Sequence, residues 1–233
     1  MCRLAYIRER PAQLSGWLAQ MEKSAGGDGN GVVLAKRAAC TKGVKVALSE
    51  TVDIIQNSAA PALWHTRRVS SGIKSDDLCH PFQVAGGWMV HNGHWWDGDR
   101  ASSILRDATG LGPVSDTRLF SMVADRRGFR IACLDYRPQG VWLWMNPKGK
   151  LSVWKNGGSL WYNPELKTFG SETDGKGYWY EVADGWHSPK IEPRKMSAKL
   201  PPVKCFLKDE SDWDKDWVGD IGIDDETGRI CLG

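Results

Sequence analysis

The sequence predicts an α+β protein built from stacked antiparallel sheets flanked by helices. Three observations carry this reading. Apolar runs of strand length cluster near the N-terminus and again after position 128. Stretches with apolar residues at helical spacing lie between the two groups. Hydrophobic residues make up 41% of the 233 positions, enough to bury a sizeable core.

The elements follow in order. Residues 4–7 read as a short buried strand. Residues 11–24 set Leu14, Trp17, Leu18 and Met21 at helical spacing, with Pro11 near the start. The glycine-rich turn Gly27-Asp28-Gly29-Asn30-Gly31 leads into a strand over 31–35, and 45–55 reads as a second helix. Strands are expected over 63–68 and 87–90, the second ending at His91-Asn92-Gly93. Helices are expected over 99–108 and 116–126, with Ser115 as N-cap of the latter. Short β runs then cover 129–134, 141–145, 151–154, 160–162, 168–169 and 178–182, separated by turns such as Asn156-Gly157-Gly158.

Beyond Trp186 the periodicity ends. Residues 188–203 carry four prolines and read as a linker or surface strap. Residues 209–226 are acidic, with Trp213 and Trp217 interleaved, and read as a solvated or pinned tail. Asp212, Asp214 and Asp216 alternate as in a calcium loop. The sixth position, which needs glycine, is Trp217, and the twelfth is Ile223 rather than Glu, so no calcium site is expected. The expected organisation is one domain over 1–187 and an extension over 188–233.

The balance of 31 basic and 28 acidic residues gives no electrostatic case for nucleic acid or a membrane surface. The six cysteines show no Cys-x-x-Cys pair, which argues against a metal site or a disulfide framework and fits a reducing compartment. No long apolar stretch opens the chain, and no run approaches the ~18 residues of a membrane span, so a cytoplasmic location is expected. The thirteen tryptophans read as packing residues.

Position 2 carries the chemistry. Methionine excision favours a small second residue. Loss of Met1 would leave Cys2 with a thiol and an α-amine on one carbon. The thiolate is the nucleophile, and an amine that titrates at roughly 7.7 to 8 can take the thiol proton. Downstream come Gly27-Asp28-Gly29-Asn30-Gly31, His65-Thr66-Arg67-Arg68-Val69-Ser70-Ser71-Gly72, His80-Pro81-Phe82, His91-Asn92-Gly93 and Ser115-Asp116. The glycine run is followed by no Lys-Ser/Thr, which argues against a phosphate loop. In this order the pieces resemble the glutaminase domain of class II glutamine amidotransferases, a branch of the N-terminal nucleophile hydrolases. The resemblance weakens after Asp116, though Phe169-Gly170-Ser171-Glu172 is similar to the Ser-Glu end of that domain.

The resemblance implies a four-layer αββα sandwich and hydrolysis of the side-chain amide of glutamine. Cys2 would attack, and the Asn92 side chain and Gly93 N–H would hold the oxyanion. Arg67 matches the arginine that pairs with the substrate carboxylate, and Asp116 the aspartate that pairs with its ammonium. Ser70 and His91 fall at substrate-binding positions. Gly27 and Asp28 belong to the turn beside the nucleophile, where a carbonyl holds the free amine. No histidine base, cofactor or metal is implied. The ammonia would pass to a separate synthase. Departures lie at Arg118, where an acid is usual, and at Trp95, Trp96 and Asp97, where an aliphatic residue and Asn are usual. They put the substrate in more doubt than the reaction. The rival readings are a stand-alone hydrolase of a γ-glutamyl amide and a catalytically silent binding module.

Overall fold

The computed structural model describes residues 2–25, 27–37, 40–70, 72–98, 101, 114–175, 177–188, 221–223 and 229–232. Two sheets form its centre. The first contains β1 (Arg3–Ile7), β2 (Gly29–Leu34), β3 (Thr41–Gly43), β4 (Ala62–Arg67), β9 (Trp161–Asn163), β10 (Thr168–Gly170), β11 (Tyr180–Val182), β13 (Ile221–Ile223) and β14 (Arg229–Leu232), in the order β13-β14-β11-β9-β10-β1-β4-β2-β3. The second contains β5 (Phe82–Val84), β6 (Gly87–Asn92), β7 (Gly140–Met145), β8 (Leu151–Asn156) and β12 (Gly185–His187), in the order β12-β8-β7-β6-β5. Every described pairing is antiparallel except that of β11 with β14.

The sheets stack face to face. Leu4, Tyr6, Val33 and Leu63 of the first meet Val90, Val141, Leu143 and Val153 of the second in one buried cluster. The alternate residues of the same strands face outward onto helices. On one side Ala5, Val32 and Trp64 pack on α1 (Leu14–Ala25) and α2 (Leu48–Gln56). On the other, Met89 and Trp142 pack on α3 (Asp116–Arg127) and α4 (Phe129–Tyr136). The layers run helix, sheet, sheet, helix, an αββα sandwich. Because β1 and β7 are buried on both faces, they read as unbroken apolar runs rather than as alternation. The tryptophans also find their place: Trp17, Trp64, Trp95, Trp142 and Trp154 fill the gaps between helices and sheets.

Two cross-sheet hydrogen bonds fix how the sheets stack. The His65 ring in β4 bonds the His91 carbonyl in β6 at 3.0 Å. At the other end the Tyr6 hydroxyl in β1 donates to the Gly149 carbonyl, in the turn between β7 and β8, at 2.8 Å.

Several expectations change. Residues 129–134, expected as a strand, are the helix α4. Phe129, Ala132 and Cys133 are its buried positions, a spacing of three and four. The alternation of Phe129, Ile131 and Cys133 misleads, because Ile131 is exposed. Strand β2 begins at Gly29, inside the expected glycine turn. The expected helix over 99–108 lies outside the described residues except for Ala101, although residues 96–98 are already helical. The strap over 188–203 lies outside them except for Ser188. Of the acidic tail only 221–223 are described, as strand β13.

A β-carbon on Gly31 would sit 1.9 Å from the His80 carbonyl oxygen, so the His80-Pro81-Phe82 segment can cross β2 only over a glycine. Gly31→Ala should therefore cost about 1 to 3 kcal/mol. Gly16, exposed in α1 with nothing near its missing side chain, is the control. Gly16→Ala should gain roughly 0.5 to 1 kcal/mol. Urea denaturation of both variants checks the opposite signs.

Candidate active site

A cleft opens where the ends of β1, β4 and β6 meet the start of α3. Cys2, Arg67, Ser70, His91, Gly93 and Asp116, six residues singled out from the sequence, line it together. Asn92 is buried at the end of β6, and its side-chain oxygen has no hydrogen-bond partner among the described residues. Gly27, which is exposed, and Asp28 do not line the cleft.

Cys2 precedes β1, which sits between β10 and β4 in the middle of the first sheet. Its half-buried thiol is bracketed by one residue. The Arg68 N–H donates to Sγ at 3.3 Å, and Sγ lies 3.4 Å from the Arg68 carbonyl. Burial pushes the Cys2 thiol up, more than the Arg68 N–H and the Arg67 guanidinium pull it down, and the Asp116 carboxylate raises it further. A thiol so placed is protonated near neutrality and needs a base to react. Arg68 also lines the cleft, and it is its backbone that meets the Cys2 sulfur.

Asp28 shapes that backbone. Its N–H donates to the Arg67 carbonyl at 2.7 Å, and its carboxylate accepts from the Val69 N–H at 3.0 Å and pairs with Lys74 at 3.1 Å. The Val69 N–H holds its carboxyl below the usual range against the opposing effect of burial, and the Lys74 hydrogen bond and charge add to it. Asp28 thus holds both neighbours of Arg68.

The charged pair faces the cleft from a strand end of the first sheet and from the start of helix α3. Arg67 ends β4, is 4% exposed, and donates from Nη1 to the Ile73 carbonyl at 2.9 Å. Asp116 opens α3 behind the N-cap Ser115, whose hydroxyl accepts from the Arg118 N–H at 3.2 Å. The Asp116 carboxylate accepts from the Trp95 N–H at 2.9 Å and the Thr117 N–H at 2.7 Å.

Gly93 is a glycine for a packing reason. A side chain there would meet Gly140 Cα at 2.7 Å and the His91 ring at 2.9 Å. Two glycines thus lie back to back, and β6 turns over the start of β7.

Three buried histidines lie behind these groups, with the His65 and His80 rings 4.0 Å apart. A carbonyl only accepts, so His65 carries its proton on Nε2. His65 Nδ1 is buried with no partner among the described residues. The His91 N–H points at His80 Nδ1 at 3.5 Å. His91 stacks on Trp142 at 3.6 Å, with Nε2 against the Gln139 carbonyl at 3.2 Å and Nδ1 against the Thr117 hydroxyl at 2.9 Å. In its neutral form His91 must donate from Nε2 and accept at Nδ1. The Thr117 proton is then spent on His91, although that hydroxyl is also 3.2 Å from Asp116. His91 is held by the protein at both nitrogens.

Thr117, His80 and Ser115 also line the cleft and were not read from the sequence as site residues. For Thr117 the available signal was its position next to Asp116 at a helix start. Among the described residues no group of three or more His, Cys, Asp or Glu could hold a metal ion, and no helix is long and apolar enough to cross a membrane.

No family model matches the sequence, and no curated protein matches it. Solved structures do. One is the glutamine phosphoribosylpyrophosphate amidotransferase from B. subtilis complexed with ADP and GMP, with a TM-score of 0.54 and 16% identity over 83% of this chain. Another is described as the allosteric regulatory enzyme of purine biosynthesis, with a TM-score of 0.58 and 16% identity over 83% of this chain. The chain shares the αββα sandwich fold of these structures. The chain spans 50% of the length of each of these two structures. Within this fold the cleft lies at the sheet ends where β1 begins.

The three histidines set an acid limit. Burial lowers His65 to about 3 and His91 to about 4, from an ordinary 6.5, and holds His80 well below 6.5. A folded value below the unfolded one means that the unfolded chain takes up protons first as pH falls. Stability is full above about pH 6.5 and is lost progressively below it, toward about pH 4 for His91 and about pH 3 for His65. Urea midpoints across this window should fall accordingly. His65→Gln, which keeps a donor for the His91 carbonyl but cannot titrate, should make the fall shallower.

Proposed function

We propose that this protein hydrolyses the side-chain amide of glutamine to glutamate and ammonia, with Cys2 as an N-terminal nucleophile, and belongs with the class II glutamine amidotransferases. One observation carries the reading: six residues chosen from motifs between positions 2 and 116 line a single cleft. The raised Cys2 thiol supports the rest, because it requires a proton acceptor and none of the neighbouring histidines is basic enough near neutrality. The α-amine left by removal of Met1 meets that need.

The steps balance within the site. The amine takes the thiol proton and the thiolate attacks the amide carbon. Asn92 and the Gly93 N–H donate to the oxyanion as it forms. The ammonium returns its proton to the departing nitrogen, and ammonia leaves. Water, deprotonated by the amine, attacks the γ-glutamyl thioester and frees glutamate and the thiol. Arg67 pairs with the substrate carboxylate. Asp116 pairs with the substrate ammonium through the acceptor capacity that Trp95 and Thr117 leave open. Ser70 lies on the same wall, and His91 acts as a support for Asn92 and Gly93. Residues 1–187 form the catalytic domain in this proposal, and 188–233 an extension of it. A separate protein accepts the ammonia. The four described cysteines are unpaired thiols, which supports a reducing, cytoplasmic setting.

Intact mass of active protein should show a chain beginning at Cys2. A diazoketone analogue of glutamine should label Cys2 and leave Cys40, Cys79 and Cys133 unlabelled. Cys2→Ala should abolish ammonia release with the fold intact. Retention of Met1 throughout active protein, or label on another cysteine, defeats the assignment.

The remaining roles separate by kinetics. Arg67→Met and Asp116→Asn should each cost about 2 to 5 kcal/mol in kcat/KM for glutamine. Asn92→Ala should lower kcat about a hundredfold with a smaller effect on KM. If a γ-glutamyl amide is turned over faster than glutamine by wild type, the protein is a stand-alone hydrolase of such amides. If wild type releases no more ammonia than Cys2→Ala from either, it is a silent module.

A further inference from the structure

His80 lines the cleft, and none of the amide-hydrolysis steps uses it. It is 4% exposed and belongs to the segment that crosses β2 over Gly31. Its ring packs on His65 with centroids 4.0 Å apart, and edge-to-face on Phe82 at 4.8 Å. The two contacts fix its plane.

The two ring nitrogens differ. Nδ1 faces the His91 N–H at 3.5 Å. A proton on Nδ1 would set donor against donor, so the neutral ring carries its proton on Nε2. Burial first, then the His65 and His91 rings and the Arg67 and Lys42 charges, hold His80 well below 6.5, so the ring is neutral near pH 7. Nε2 has no hydrogen-bond partner among the described residues, and unlike His65 Nδ1 it is not sealed off. The cleft is the opening that His80 lines. His80 therefore offers one fixed N–H donor to whatever fills the cleft.

A donor selects among the groups of a glutamyl amide. The ammonium only donates, so an N–H gives it nothing. The carboxylate and the amide oxygen both accept. Two features favour the carboxylate. Nδ1 is turned toward β6, so Nε2, across the ring, points away from the strand that carries Asn92. His65 and Arg67 are two residues apart on β4, so their side chains leave the same face about 7 Å apart along the strand. The His80 ring lies against that face at His65, and the Arg67 charge acts on it.

We propose that His80 Nε2 donates a hydrogen bond to the α-carboxylate of the bound glutamyl substrate, beside Arg67. This rests on the reading of the cleft as a glutamine site. The role is specificity for a free α-carboxylate. A second cation there would repel Arg67, and a neutral N–H does not.

The test uses the full-length Cys2→Ala chain, which binds without turnover. L-glutamine is compared with L-glutaminamide, in which a carboxamide replaces the carboxylate. Binding is followed by calorimetry and by the ring nitrogen resonances of His80. Without ligand, Nε2 should carry the proton and Nδ1 should not. Saturating glutamine should shift Nε2, and glutaminamide should leave it near its free position. His80→Phe should weaken glutamine about tenfold or more, and glutaminamide less than about threefold. With Cys2 present, the same substitution should raise KM for glutamine with little change in kcat. If His80→Phe fails to fold, the resonances of the native ring decide.

A proton on Nδ1, an unmoved Nε2 at saturating glutamine, or equal weakening of both ligands overturns the proposal. A fall in kcat with KM unchanged also overturns it, because it moves the donor to the amide oxygen. Ammonia release by the wild type is measured alongside. Release with an unmoved Nε2 sinks this proposal and spares the amidase reading. Glutamine binding that shifts Nε2 without release sinks the amidase reading and spares this proposal. No binding of glutamine sinks both.

Discussion

The hydrogen bond from His65 to the His91 carbonyl holds the two halves of the site together. The first sheet supplies Cys2 and Arg67, and the second supplies Asn92, Gly93 and the floor under Asp116. Apolar packing alone would let two stacked sheets slide, because it is non-directional. A directional bond in an apolar layer does not slide, since breaking it strands a buried donor and acceptor. The same burial that makes this bond strict keeps the histidines neutral. The framework that aligns the site therefore cannot also serve as its base.

Around that bond, the small groups form a continuous support. Asp28 fixes the backbone on either side of Arg68, and Arg68 brackets the Cys2 sulfur. Thr117 joins the helix that carries Asp116 to the ring that precedes Asn92. Gly93 and Gly140 let β6 and β7 approach closely at the turn after Asn92. Asp28, Thr117 and Gly140 each act on a neighbour, so each sets geometry rather than chemistry.

Much of this was legible in the sequence because the physics is local. β1 is a short apolar run, β4 and β6 are buried on both faces and end in polar site residues, α1 and α2 carry a clear apolar stripe, and α3 is marked by its N-cap Ser115. The site residues were found through short ordered motifs whose residue types fit the chemistry. What escaped depends on partners far along the chain. The three-residue strands β3, β5 and β12 have too little pattern to stand out and exist because a longer strand lies beside them. Helix α4 was misread because eight residues give an alternation and a helical stripe almost equally well. The late strands β13 and β14 were hidden by acidic surroundings. Thr117 and the cross-sheet bond of His65 appear only once two distant segments meet.

The anchoring of β1 has a consequence for maturation. A chain terminus is ordinarily its loosest part, and a catalytic group there must be ordered at every encounter. Here the Leu4 N–H donates to the Ser171 hydroxyl, the Ser171 N–H donates to the Leu4 carbonyl, and Arg3 is locked to Glu172. β1 also has neighbours on both sides. Trimming the residue before Cys2 breaks none of these bonds. If Met1 is removed as proposed, the new terminus inherits the rigidity of an interior strand, and the proposed nucleophile is ordered when the chain folds rather than each time a substrate arrives.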